Sequence, residues 1–355
     1  MNSNTLKICD IFCGAGGLSY GFAKEKCFEI VFACDNDKSA IASYQANHPR
    51  TKTIHKDISE LDSTDLKEFA PVDILLGGPP CQSYSTLGKR QMDKRANLFK
   101  EYLRVLEFFM PKAFVFENVV GLLSMKKGEL FSYICENFEK LGYKIYHKIL
   151  NAADFGVPQI RQRVIVVGIR REFSKDFTFP QATHKYFISL EQAIGDLPPI
   201  KSGENGNHLG YQHGACNDFL YFVRKGNILS EHESPKNNAN LIRIMQLLQD
   251  GQCKDDLPLS VRPRSGYANT YAKMWWKKPA PTITRNFATP SSSRCIHPRD
   301  SRALSIREGA RLQSFPDNYI FCGNTSDKKL QIGNAVPPLV SMALAGAMKD
   351  YFKGL

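Results

Sequence analysis

A chain of 355 residues that is 43% hydrophobic can bury two cores, or one large core with an insertion. Lysine and arginine outnumber aspartate and glutamate by 47 to 35, and this surplus of +12 favours a polyanionic partner. Ten cysteines without a C-x-x-C pair signal neither a metal site nor a disulfide framework, and no leading apolar stretch or long apolar run is present, so the expectation is a soluble intracellular protein with no metal and no membrane partner.

Residues 6–12 are apolar and β-prone, and they run into Gly14-Ala15-Gly16-Gly17; residues 18–25 then have helical character. Strand, glycine loop and helix form the unit that cradles nucleotide-like ligands, although such a loop alone is equally a tight turn. The sixth position of G-x-G-x-x-G is Ser19. That breaks the dinucleotide fingerprint and disfavours a nicotinamide oxidoreductase. A second strand, 30–33, ends in Cys34-Asp35-Asn36-Asp37, and a third ends at His55-Lys56-Asp57-Ile58. Either acid alone is usually a helix cap or a turn residue. Together, beside a glycine loop, Asp35 suits a ribose diol and Asp57 an adenine amino group. No P-loop lysine follows the glycines, so a triphosphate is not expected.

The run 72–76 reads as a buried strand and leads into Gly77-Gly78-Pro79-Pro80-Cys81-Gln82-Ser83-Tyr84-Ser85. The glycines allow close backbone approach, and the prolines stiffen the turn. Cys81 is thereby held past the carboxyl end of a strand, where open α/β sheets do chemistry. It reads either as a nucleophile or as a small buried hydrophobe. A helix over 97–110, ended by Pro111, and a strand over 113–116 deliver Glu117-Asn118-Val119. Glu117 reads as a part-buried carboxyl able to share a proton, or as a structural carboxylate on backbone amides. Cys81 and Glu117 follow two strand ends of one sheet, so they can converge.

Residues 129–141 predict a helix, and 143–150 with 164–169 an antiparallel pair. The loop between those strands carries Gln159-Ile160-Arg161-Gln162-Arg163. Arginines two apart on an extended segment can point one way and suit phosphate or base oxygens; a solvated loop is the alternative. Past about residue 172 the strand–helix alternation stops, with short helices expected at 189–195, 239–249 and 305–314 and an apolar helix at 339–348. Residues 260–299 hold eight lysines and arginines, among them Arg264, Arg285 and Arg294, and no acid. Tyr267, Tyr271, Trp275, Trp276 and Phe287 are interleaved with them. A basic, aromatic, irregular surface of this kind fits nucleic-acid contact.

Taken together, these motifs resemble the DNA (cytosine-5)-methyltransferases of the bacterial restriction-modification type. The resemblance runs from D-I-F-C-G-A-G-G at Asp10 through G-G-P-P-C-Q-S-Y-S at Gly77, E-N-V at Glu117 and Q-I-R-Q-R at Gln159. It continues with R-E-G-A-R-L-Q-S-F-P-D at Arg307 and Q-I-G-N-A-V-P-P at Gln331. One departure is Asp35, where the family usually carries glutamate.

The resemblance implies an α/β fold of the class I S-adenosylmethionine-dependent methyltransferase type, a Rossmann-like mixed sheet with a smaller irregular target-recognition domain. Residues 1–172, rejoined by 327–355, would form the cofactor and catalytic domain, and 173–326 the recognition domain. S-adenosylmethionine would be the methyl donor and a cytosine flipped from double-stranded DNA the acceptor. Cys81 would add to cytosine C6, Glu117 would bind N3, and Arg163 would hold the O2 side. The cofactor would be held by Phe12, Gly14, Ala15, Gly16, Gly17, Asp35, Asn36, Asp57, Ile58 and Pro79, with Asn334 and Val336 on its methionine side. Ser83, Ser85, Gln159, Arg161, Arg264, Trp276, Arg285 and Arg294 would contact DNA. A cytoplasmic, nucleoid-associated monomer, possessing a cognate restriction endonuclease partner, is the expected setting. The tRNA-methylating branch and a non-catalytic DNA-binding relative are the alternatives; the long basic segment before Arg307 speaks against the first, and the presence of both Cys81 and Glu117 against the second.

Overall fold

The computed structural model describes residues 5–80, 98–226, 228–264 and 269–353. The chain forms two compact units: residues 1–151, 162–181 and 340–355 make the first, and 152–161 with 182–339 the second. These boundaries differ from the expected 172/173 and 326/327. Residues 152–161 and 327–339 fall in the second unit, where Gln159 and Arg161 bond to the backbone at Leu312, Ile283 and Gly333.

The first unit is built on a seven-stranded sheet. Its strands are β1 (Leu6–Ile11), β2 (Phe28–Asp35), β3 (Lys52–His55), β4 (Ile74–Gly77), β5 (Ala113–Val119), β6 (Tyr143–Asn151) and β7 (Gln162–Arg170), in the order β3-β2-β1-β4-β5-β7-β6. The first five run parallel; β7 is antiparallel to β5, and β6 to β7. Helices α1 (Gly17–Lys24), α2 (Lys38–Asn47), α3 (Ser63–Lys67), α4 (Leu98–Phe109) and α5 (Glu129–Lys140) connect them. Every residue of β4 is buried, which is why this strand reads as an uninterrupted apolar run. Helix α4 turns Phe99, Tyr102, Val105 and Leu106 inward at helical spacing, and it stops where Met110 adopts a left-handed φ of 43° before Pro111. Phe114 and Phe116 from β5, Phe138 from α5 and Tyr143 from β6 close the core around it, with Tyr102 and Phe116 edge-to-face at 5.2 Å. Each such ring stabilises the unit by roughly 1.5–3 kcal/mol through burial.

Strand order sets the location of the site. From β1 the chain winds outward through β2 to β3, then returns to place β4 on the other side of β1. The order therefore reverses between β1 and β4, with Ile11 paired to Gly77 at their carboxyl ends. Open parallel sheets bind ligands outside such a reversal point.

The second unit has little regular structure. It contains α6 (Leu190–Ile194), α7 (Asp218–Val223), α8 (Ala239–Leu247), the short parallel pair β8 (Ala272–Lys273) and β9 (Arg294–Ile296), α9 (Ile306–Leu312) and α10 (Thr325–Asn334). Its interior is charged as well as apolar. The buried Arg311 guanidinium bonds Asp317 at 2.9 and 2.6 Å, Ala193 O at 3.0 Å and Asp196. Arg302 meets Glu308 through two bonds of 2.8 Å, and Glu308 also caps α9 with Ser305.

The last helix, α11 (Pro338–Phe352), carries the chain back to the first unit. Ser341 Oγ accepts from Gly21 N at 2.8 Å and donates to Leu18 O. A Cβ on Gly21 would lie 2.3 Å from Met342 N, so α1 can meet α11 this closely only with glycine there. Among the described residues, one segment, 325–352, is apolar enough over eighteen residues to be compared with a membrane span. Residues 335–337 divide it into α10 and α11, and half of that apolar window is buried.

Candidate active site

Two loops meet the reversal point of the sheet. The first follows β1. Its backbone is left-handed at Phe12 (φ 56°), Gly14 (φ 52°) and Gly16 (φ 91°). Glycine takes that conformation without strain, whereas Phe12 does not, and strain of this kind gathers at ligand sites. Gly16 caps α1 with no side-chain hydrogen bond, so the first N–H groups of α1 have no side-chain acceptor at the cap. Asp35, at the end of β2, accepts from Gly14 N at 2.8 Å and from Asp37 N at 2.9 Å. Burial raises its pKa, while those backbone bonds act the other way. Asp57 stands at the end of the next strand region and accepts from Ser59 N at 2.9 Å and Ser59 Oγ at 2.6 Å, capping the turn Ile58–Glu60. Asp37, next to exposed Asn36, caps α2. A left-handed glycine loop, an open helix N-terminus and two acids at neighbouring strand ends fit an adenosine-bearing cofactor.

Asp10 lies beneath this loop and has no expected role from sequence. It is 1% exposed. Ser19 Oγ donates to its Oδ2 at 2.6 Å and lies 2.6 Å from Tyr44 OH. Burial pushes the Asp10 carboxyl up to about 7, assisted by the nearby Asp35 charge and opposed by the Ser19 bond. Burial also raises the Cys9 and Cys13 thiols, and that of Cys34 to about 12, so none of the three is an activated nucleophile.

The second loop follows β4. Pro79 O accepts from Asn118 Nδ2 at 3.0 Å, which ties the Gly77-Gly78-Pro79-Pro80 turn to the tip of β5. A Cβ on Gly78 would stand 3.1 Å from Glu117 Oε2. Glycine at 78 therefore lets the turn lie against the Glu117 carboxylate. Glu117 is mostly buried, and its Oε1 lies 3.1 Å from Arg163 Nε. The sheet makes this pair: Val119 is opposite Arg163 and Glu117 opposite Ile165, which sets the two side chains diagonally across β5 and β7. Cys81, Ser83 and Ser85 lie outside the described residues.

The remaining expected residues belong to the second unit. Gln159 is fully buried, accepting from Ile283 N at 2.8 Å and donating to Leu312 O at 2.9 Å. Arg161 is 2% exposed and donates to Ile283 O and Gly333 O, both at 3.1 Å. The expectation that these two side chains contact DNA is corrected: both are occupied inside the unit by backbone partners. The two arginines of the Q-x-R-x-R element do not act together, since Arg163 meets Glu117 instead. Trp276 is also internal, donating Nε1–H to Glu191 at 3.2 Å beneath the Arg299 guanidinium. Arg294 stacks on Trp275 at 4.2 Å and donates to Gly251 O at 2.7 Å and Lys273 O at 2.5 Å. Neither is placed as a free base reader. Arg264 and Arg285 are exposed. Asn334, the last residue of α10, is exposed, and Val336 is half-buried.

Residues 6–350 match the family model described as C-5 cytosine-specific DNA methylase. The chain is 38% identical to the type II methyltransferase M.DdeI of Desulfomicrobium norvegicum over 378 residues, covering 99% of this chain and 90% of that protein. It is 34% identical to the type II methyltransferase M1.HphI of Haemophilus parahaemolyticus over 351 residues, covering 97% and 87%. In fold it resembles a crystal structure of a chain encoded within an E. coli prophage, with a TM-score of 0.80, 24% identity, and coverage of 98% and 99%. It also resembles the Dnmt2 methyltransferase of S. pombe, with a TM-score of 0.62, 17% identity, and coverage of 97% and 98%.

Proposed function

The chain belongs to the C-5 cytosine-specific DNA methylase family and is a DNA (cytosine-5)-methyltransferase with a class I methyltransferase fold, and on that premise we propose which residues do the work. Cytosine C5 is a weak nucleophile. In this reading the Cys81 thiolate forms a bond to C6 of a cytosine flipped out of duplex DNA. Glu117 hydrogen-bonds the N3 edge, where charge accumulates as that bond forms. Arg163 fixes the Glu117 carboxylate and faces the O2 side. C5 becomes electron-rich as a result. After methylation a base removes the C5 proton, the C5–C6 double bond re-forms, and Cys81 departs as thiolate.

S-adenosylmethionine, when bound, supplies the methyl group at that carbon. Phe12, the turn from Gly14 to Gly17, Asp35, Asn36, Asp57, Ile58 and Pro79 would hold it, with Asn334 and Val336 serving its methionine end. Asp35 already spends two acceptor positions on Gly14 and Asp37, which presets its carboxylate beside the glycine loop. The observation that carries the proposal is the Glu117–Arg163 pair at the tip of β5, against the turn that leads to Cys81.

The type II relatives point to the modification half of a restriction-modification system. We place the protein in the cytoplasm on the nucleoid, as a monomer, with an endonuclease of the same specificity. Ser83, Ser85, Arg264 and Arg285 remain the proposed DNA contacts from sequence. Bisulfite sequencing of plasmid DNA from cells expressing the wild type and Cys81→Ser tests the mechanism. Cytosines protected at one short motif in the wild type alone are the expected result. Equal protection by Cys81→Ser would sink the covalent route, and protection in neither sample would sink the assignment to DNA.

A further inference from the structure

With Trp276 and Arg294 engaged internally, the second unit presents another candidate for reading bases. An open groove of about 470 Å³ runs between α8 and the loop that includes Ser260, Arg262 and Pro263, with Tyr271 in its wall. Its frame is fixed from inside. Ile244, Met245 and Leu248 pack with Leu257 and Ile296 and hold one face of α8. Asn238 caps that helix by accepting from Leu241 N at 2.8 Å. The Arg262 guanidinium is spent on the chain itself, donating to Asp255 O at 2.7 Å and Leu257 O at 2.9 Å, so it braces the loop. Tyr271 holds a left-handed φ of 47° while its N–H donates to Pro290 O at 2.6 Å.

The groups that face outward from this frame are of a different kind. Asn240 and Arg243 are exposed, line the groove, and stand one helical turn apart, off the buried face of α8. Ser260 is exposed opposite them. A carboxamide and a guanidinium are the two side-chain types that pair with adenine and guanine edges through two hydrogen bonds each. The chain that follows, from Ser260 to Arg299, contains no acid to repel a phosphate backbone. We propose that the groove along α8 is a base-reading surface, with Asn240 and Arg243 as specificity-determining residues for duplex DNA. This rests on the DNA methyltransferase reading and assigns part of its sequence selection.

The test uses the full-length protein. Bisulfite sequencing of plasmid DNA first defines the wild-type motif; absence of any motif would overturn the parent reading, and this inference with it. Asn240→Ala and Arg243→Ala are then compared with wild type on oligonucleotide duplexes carrying that motif and each single-base variant of it. Expected is a fall of roughly 10- to 100-fold in kcat/KM on the motif, together with relaxed preference at one base position per variant. Affinity for S-adenosylhomocysteine and the melting temperature should be unchanged, since both side chains are exposed. Base preference equal to wild type at every position would overturn the inference and leave the methyltransferase reading standing. So would an equal loss on all duplexes with a reduced salt dependence, the mark of a phosphate contact.

Discussion

Arg163 reaches Glu117 through the register of β5 on β7, not through nearness in the chain. Lysine at that position would keep the charge and lose the flat, pre-oriented fork. Arg163→Lys is therefore expected to lower kcat for methyl transfer on the order of 100-fold, the scale for one misplaced electrostatic partner. S-adenosylhomocysteine affinity should hold. Tritium-transfer kinetics beside calorimetry separate the two, and an undiminished kcat would remove Arg163 from the reaction. Asp10 carries a prediction of a different sort. Its folded-state carboxyl keeps a proton up to about pH 7, against 3.8 for an ordinary aspartate. The folded chain thus holds an extra proton between those values, and this group makes the protein less stable as pH rises from about 4 to about 7. Asp10→Asn should flatten that stretch of a urea-midpoint profile; an unaltered profile would mean that Asp10 does not titrate there. The four apolar residues before Glu117 made a strand legible there, although β5 runs on to Val119 and does not stop at residue 116. Asp10 was less legible, because Ser19 and Tyr44 reach it only once α1 and α2 are folded.

The contact of α1 with α11 shows what elements add. Gly21→Val would force a side chain into the backbone of residues 341 and 342 and should destabilise the protein by roughly 1–3 kcal/mol. Thermal melting would register this as a lower midpoint, and a midpoint equal to wild type would mean that the helices can separate freely. Residues 18–25 read as helical and 339–348 as an apolar helix, but their pairing was not legible, because the two lie at opposite ends of the chain. Strands β4 and β5 were legible for a simple reason: sheets covered on both faces leave continuous apolar runs. Helices α2 and α3 escaped notice. Only Ala40, Ser43 and Tyr44 of α2 and Leu66 of α3 are buried, too few to print a period, although their capping acids Asp37 and Asp62 stood in plain view.

At the scale of the molecule, the arginine count is a poor map of surface charge. Arg161, Arg302, Arg307 and Arg311 are among the largest fully buried side chains, and Asp196, Glu308 and Asp317 are buried with them. The same interior predicts acid sensitivity. Burial pushes the Glu308 and Asp317 carboxyls up, but Arg302 and Arg311 outweigh it and hold both below the usual range. Burial lowers His297 to about 4, so it stays neutral while an unfolded histidine would take a proton near 6.5. The signs agree: stability from His297 is complete above about pH 6.5 and is lost as pH falls toward 4, and that of the carboxylates is lost lower still. Measured against the intrinsic exchange rates, which fall as pH falls, the protection of α9 amides should decrease from pH 7 to pH 5; unchanged protection would contradict this. The bonds of Gln159 and Arg161 have a consequence for substitution. Three of their partners, Leu312 O, Ile283 O and Gly333 O, are main-chain oxygens. Loss of either donor would therefore leave buried carbonyls without their partner, whatever side chains stand at those positions.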